Sequence, residues 1–345
     1  MASANFRKAY YSSLGVQVVE VKPSLETALQ GDILDIERLN KLCLWVRIPH
    51  SYRPLVWKVL LGTNSLAKEV WPFVDQQREA QFEDLKRCVQ VLLQRRADGG
   101  KPNPPCSSSD DLTADMMVYM LLVQLDTGRS PRRLASTLSS SSLPHTFSHL
   151  RALANTMLEV CDTSESDAYW LFESFVRRYN VSFSDAPPAT LPQPQKQQQK
   201  LSQQHAVEAD RIATEIGAMQ NLLRTHNAPL LAHMLSFGQA LEVYCYSWFR
   251  TYFASVVPPH CLEGIWDIFI GGAPGILSYL GLSLLLACKR KIEAVRSSRD
   301  LVKLFDQVER WVDMDAVANT AIDLWERPVL EGMTKDLRKA LGYNF

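Results

Sequence analysis

The stretch "SYRPLVWKVLLG", Ser51 to Gly62, decides how this chain is read. Ser51 is a candidate helix N-cap, since its hydroxyl can accept from a free backbone N–H. Pro54 lacks an amide hydrogen, so it fits only the first helical turn. Gly62 suits the position just past a helix end, where left-handed backbone is common. These marks predict one short helix. Within it Arg53 stands four residues before Trp57, which places a cation and a large apolar anchor on one face.

Helical spacing continues on both sides. Upstream, "SLETALQGDILDIERLNKLCLW" sets Leu25, Leu29, Ile33, Ile36, Leu39 and Leu42 three or four residues apart, with Gly31 and Asp32 dividing two short helices. Downstream, "REAQFEDLKRCVQVLLQ" repeats the pattern through Phe82, Leu85, Val89 and Leu92. The segments "LTADMMVYMLLVQL", "FSHLRALANTMLEVC" and "DAYWLFESFVRRY" read as further helices, and two polar stretches, 95–111 and 130–144, read as loops. No sustained alternation and no internal repeat interrupts this pattern, so the predicted fold class is all-α. The stretch "SDAPPATLPQPQKQQQKLSQQ", 184–204, is rich in Pro and Gln and too poor in apolar residues to build a core. It reads as a disordered insertion between two lobes.

Composition narrows the function. Lys+Arg and Asp+Glu both count 37, so the net charge is zero, which argues against general nucleic-acid binding or a mainly electrostatic membrane attachment. Seven cysteines without a CxxC pair read as reduced thiols in a cytosolic protein rather than a disulfide framework or a zinc site. The N-terminus has no apolar stretch of the signal-peptide type. The most apolar run, "ILSYLGLSLLLAC", 276–288, is too short to span a bilayer and reads as a buried helix. No phosphate-cradling GxxxxGKS/T, no GxGxxG after a strand, no HExxH and no GxSxG is present. The seven histidines are scattered, and Pro229 interrupts the helix face that His226 and His233 could share. No metal and no cofactor are expected.

Four stretches stand in a fixed order: "YRPLVW" from the opening segment, then "PLLAHM" (229–234), "SWFRTYFASVVP" (247–258) and "GIWDIFIGG" (264–272). Trp57, Trp248, Phe249, Phe253 and Trp266 read as core aromatics, and Arg53 with Asp267 reads as an ion pair tying two helices. In this order and spacing the set resembles the TBC domain, the all-helical, two-lobed module of Rab GTPase-activating proteins. The resemblance covers roughly 48–275. It implies a helical extension over 1–47, a TBC domain over 48–275 interrupted at 184–204, and C-terminal helices over 276–345 that complete the second lobe.

A TBC activator lends two side chains to a GTPase: an arginine from IxxDxxR that neutralises charge on the transferred phosphate, and a glutamine from YxQ that positions water. "VQLDTGR" matches the first, with Val123 in the apolar slot, Asp126 as the orienting acid and Arg129 as the finger. The second is missing. Aligned backwards from "DAYW", its place falls on "FSHL", with Phe147 for tyrosine, His149 for glutamine and Leu150 for the following glycine. Arg129 is therefore open to three readings: a finger, a partner-binding residue or a plain loop arginine.

The flanks "NFRKAYYSSLG" and "AIDLWER" resemble the branch of the family found in the tuberous sclerosis complex. That resemblance implies a non-catalytic subunit, with hamartin and tuberin as partners and a role in Rheb activation and mTOR restraint. It also implies a cytoplasmic protein held peripherally at lysosomes or vesicles by those partners. The alternatives are a Rab GTPase activator using Arg129 and a non-catalytic Rab effector. An amphipathic partner helix would lie in an apolar groove, expected near Val59–Leu61 or Met116–Leu122.

Overall fold

A computed structural model describes residues 21–97, 111–126, 147–183 and 198–331. Among these residues the regular structure is helical, with one isolated bridge between Ile33 and Ala67. The helices are α1 (Val21–Gln30), α2 (Ile36–Trp45), α3 (Arg53–Leu60), α4 (Trp71–Ala97), α5 (Ala114–Asp126), α6 (Ser148–Val160) and α7 (Glu165–Arg178). Then come α8 (Gln198–Leu235), α9 (Leu241–Arg250), α10 (Pro259–Ile270), α11 (Ile276–Ala287), α12 (Lys289–Ala294), α13 (Ser298–Phe305) and α14 (Met314–Glu331).

Helix α3 starts one residue later than its sequence marks suggest. Residues His50–Tyr52 form a 3₁₀ turn, and Tyr52 occupies the N-cap without a side-chain bond, so Ser51 is not the cap. Pro54 does lie in the first turn, and Gly62 has φ 78°. Ile33 also departs from its predicted stripe and is 76% exposed. It lies between α1 and α2 in the extended bridge, where Leu34 donates to the Leu66 carbonyl at 2.9 Å. Extended backbone alternates its side chains, so Ile33 turns outward and Leu34 inward. The segment read as an insertion is helical from Gln198, where α8 begins, while 184–197 lies outside the described residues. The loops read at 95–111 and 130–144 also fall largely outside them.

Pro229 does not end α8. The axis breaks at Asn227 (φ −158°, ψ 72°), whose Oδ1 accepts from Leu230 N at 3.2 Å. Asn227 thus caps a second helical segment, and Pro229 falls in that segment's first turn, where its missing N–H costs nothing.

Helices α4 to α7 pack in sequence order as the first lobe. In the second lobe α8 packs on α9 and α11, and α11 packs on α14. The apolar run at 276–287 is α11, buried almost throughout. No helix among the described residues is long and apolar enough to cross a membrane. Helix α10 touches both lobes: α2, α3 and α6 on one side, α11 and α14 on the other. It approaches α2 so closely that a Cβ on Gly271 would lie 2.6 Å from Cys43 Cβ and 2.9 Å from the Asp267 carbonyl oxygen, which only glycine tolerates.

The turn after α9 is unusual. Tyr252 and Phe253 both have positive φ, 50° and 68°, a conformation that L residues adopt at a cost of about 1–2 kcal/mol each. Both rings are fully buried. Phe253 N closes onto the Trp248 carbonyl at 2.7 Å, and Trp266 Nε1 donates to the Tyr252 carbonyl at 3.0 Å. Burial of two aromatic rings, at about 1.5–3 kcal/mol each, offsets the backbone strain.

Candidate functional site

The ordered anchors converge where α3 crosses α10. Arg53 Nε donates to Asp267 Oδ1 at 3.0 Å, and its Nη2 donates to Asp267 Oδ2 at 3.0 Å and to the Ile48 carbonyl at 2.8 Å. Its Nη1 pairs with Glu263, one turn before Asp267 on α10. Trp57 Nε1 donates to Asp267 Oδ1 at 2.9 Å, from one turn after Arg53 on α3. The i, i+4 spacing of Arg53 and Trp57 aims both donors at one carboxylate. Burial pushes Asp267 above its ordinary value, while Arg53 and the indole N–H oppose that shift. Trp57 and Trp266 lie 5.9 Å apart, and Trp266 stacks on Phe175 of α7 at 4.9 Å. Trp248 is equally buried but stands apart from this group, against Phe253 and Phe305. All of these groups but the partly exposed Glu263 are buried, so their chemistry is that of a joint between helices.

The finger positions are placed differently. Asp126 is the last residue of α5, and Arg129 lies outside the described residues. His149 stands in the first turn of α6, 3% exposed. Its Nε2 lies 2.9 Å from the Ser182 carbonyl, to which it donates when protonated, and 3.4 Å from Arg250 Nη2. Glu208 of α8 completes the cluster, accepting from Ser182 N at 3.3 Å and facing Arg250 Nε at 3.9 Å. The imidazole is thus a member of a buried polar cluster joining α6, α8 and α9. Nothing in the sequence announced Ser182, Glu208 and Arg250 as its neighbours, because they come from three separate segments.

The expected partner grooves are not both available. Val59, Leu60 and Leu61 are buried in the protein's own core, which leaves no face there for a partner. Around Met116–Leu122, Met116, Tyr119 and Leu122 are partly buried and pack against that core. Beside α3 a polar pocket of about 220 Å³ is lined by Lys58, Asn64, Arg78, Asp167 and Trp170. Lys58 pairs with Asp167 at 2.9 Å, and the Arg78 guanidinium lies over the Trp170 ring at 5.1 Å. Cys43, Cys161, Cys245, Cys261 and Cys288 all have thiols raised by burial, Cys161 to about 12 and Cys288 to about 11, which makes them poor nucleophiles.

This two-lobed helical arrangement is the fold of Rab GTPase-activating domains. The Ypt/Rab-GAP domain of Gyp1p superposes with a TM-score of 0.52 at 11% identity, covering 91% of this chain and 99% of that one. A Chlamydomonas flagellar RabGAP TBC domain gives 0.51 at 15% identity, covering 93% and 94%. The sequence profile of the Rab-GTPase-TBC domain matches residues 149–293 of this chain. Its similarity to TBC1 domain family member 7 runs nearly end to end. It is 29% identical to the Xenopus tropicalis protein over 328 residues, 94% of each chain. It is 28% identical to the Homo sapiens protein over 323 residues, again 94% of each.

Proposed function

We propose that this chain is a non-catalytic TBC-fold subunit that binds a hamartin coiled coil and stabilises the tuberous sclerosis complex. In that assembly it supports tuberin in activating Rheb and so restrains mTOR signalling. It is cytoplasmic and reaches lysosomes or vesicles through its partners. The end-to-end similarity to TBC1 domain family member 7 supports the assignment to this branch.

His149 is the observation that carries the non-catalytic part. A water-positioning side chain must reach the surface of the bound GTPase. The residue that aligns with the family's glutamine is instead a buried imidazole bonded to Ser182. Losing one such transition-state contact typically lowers the rate by about two to three orders of magnitude.

Two measurements test the reading. A hamartin coiled coil should capture the purified chain, and the Arg129→Ala variant should be captured equally well. Single-turnover GTP hydrolysis by a panel of Rab proteins should be the same with wild type, with Arg129→Ala and with neither. Failure of capture would remove the subunit reading. A hundredfold acceleration by wild type, lost in Arg129→Ala, would instead establish the rival reading, a Rab activator using the Asp126–Arg129 motif. Rab binding without acceleration, together with failed capture, would identify a Rab effector.

A further inference from the structure

His260, Cys261 and Asp315 meet at one end of the contact between α10 and α14. One ligand atom from each lies within 4.8 Å of the other two. Cys261 Sγ is 3.3 Å from Asp315 Oδ1. The thiol is buried, whereas His260 and Asp315 are exposed. His260 and Cys261 belong to the first turn of α10, and Asp315 to the first turn of α14, so helical backbone fixes all three. Asp313 adds a second carboxylate near the thiol, opposed by Arg47. Two helix N-termini disfavour a cation, each with about half a positive charge. Two carboxylates and a metal-bound thiolate outweigh them.

We propose that His260, Cys261 and Asp315 form a binding site for a divalent transition-metal ion of the zinc class, which ties the start of α10 to the start of α14. Sulfur, imidazole and carboxylate together suit zinc, while calcium and magnesium favour oxygen alone. Bond lengths of about 2.0–2.3 Å place tetrahedral ligands about 3.5 Å apart. Closing the present triangle takes side-chain movements on the order of 1 Å, which the exposed His260 and Asp315 can supply by rotation. Binding displaces the Cys261 S–H proton to solvent and leaves sulfur as thiolate. The remaining coordination position opens to water. The sequence hid this site because Asp315 lies 54 positions from Cys261, outside any short ligand motif. The inference does not depend on the partner reading above.

The full chain, stripped of metal, is titrated with Cd²⁺ and followed by thiolate-to-metal charge-transfer absorption, then back-titrated with Zn²⁺. One equivalent per chain should give a band that Zn²⁺ bleaches. Cys261→Ser should abolish it, and Cys88→Ser, which removes an exposed thiol elsewhere, should leave it intact. His260→Ala and Asp315→Asn should each weaken binding at least tenfold and remove the rise in Tm that Zn²⁺ gives the wild type. Absence of the band, its survival in Cys261→Ser, or its loss in Cys88→Ser would overturn the site. Should Cys261→Ser fail to fold, the two exposed variants decide, and unchanged affinity in both overturns the proposal.

Discussion

At the scale of single residues, the Asp267 carboxylate concentrates the most consequence. It is buried, and Arg53 and Trp57 supply its charge-assisted and neutral donors. Arg53→Met leaves that carboxylate without its cation, which should cost about 3–5 kcal/mol in urea denaturation. Asp267→Leu added to Arg53→Met removes the stranded charge, and the double variant should be more stable than Arg53→Met alone. A double variant as unstable as the sum of its parts would mean that the pair acts through shape rather than charge. Arg53 and Asp267 were legible in the sequence because their types are rare in an apolar helical context and complementary in charge. The third and fourth partners, Glu263 and the Ile48 carbonyl, were not. A glutamate on a helix reads as solvated unless its neighbours in space are known. Likewise no glycine or asparagine marked Tyr252 and Phe253 as left-handed, since there the core dictates the backbone and local propensity does not.

At the scale of elements, Glu165 fastens three helices. It accepts from Lys86 Nζ of α4 at 2.7 Å and from Leu112 N, just before α5, at 2.7 Å, from the first turn of α7. Burial pulls its pKa upward, but these two donors outweigh it and hold the carboxyl below its ordinary 4.5. A carboxyl with a depressed folded pKa contributes stability above the unfolded value and loses it as pH falls through the folded one. Glu165→Gln should therefore destabilise the protein at neutral pH, and the gap to wild type should close as pH falls below 4.5. A gap constant with pH, read from melting curves, would assign Glu165 to shape alone. Helix existence was plain from periodicity in nearly every described segment. The boundaries were less so: the 3₁₀ turn before α3 and the start of α8 at Gln198 depend on neighbours that periodicity does not see. The match of Asp126 and Arg129 to the finger motif was readable as a pattern only, whereas burial of His149 depended on Ser182, Glu208 and Arg250, which folding alone brings together.

At the scale of the whole molecule, the segment between the lobes divides in two. Replacing 184–197 with Gly/Ser of equal length should leave Tm nearly unchanged, because its composition offers little apolar area to bury. Extending the replacement through Gln204 removes about two turns of α8 and should lower Tm measurably. Equal melting of the two variants would show that the first turns of α8 contribute nothing. The joint between α3 and α10 also has a consequence in time. Arg53 and Asp267 are 214 positions apart. A ribosome adding about 5–20 residues per second emits Arg53 roughly 10–40 s before its carboxylate exists. For that interval the nascent chain carries Arg53 without its carboxylates and leaves Trp57 and Phe175 without the Trp266 ring that packs on them, which is the kind of surface chaperones bind. A transcript truncated before codon 267 would leave the chain in that state for good, so early stop codons should yield degraded protein rather than a working half.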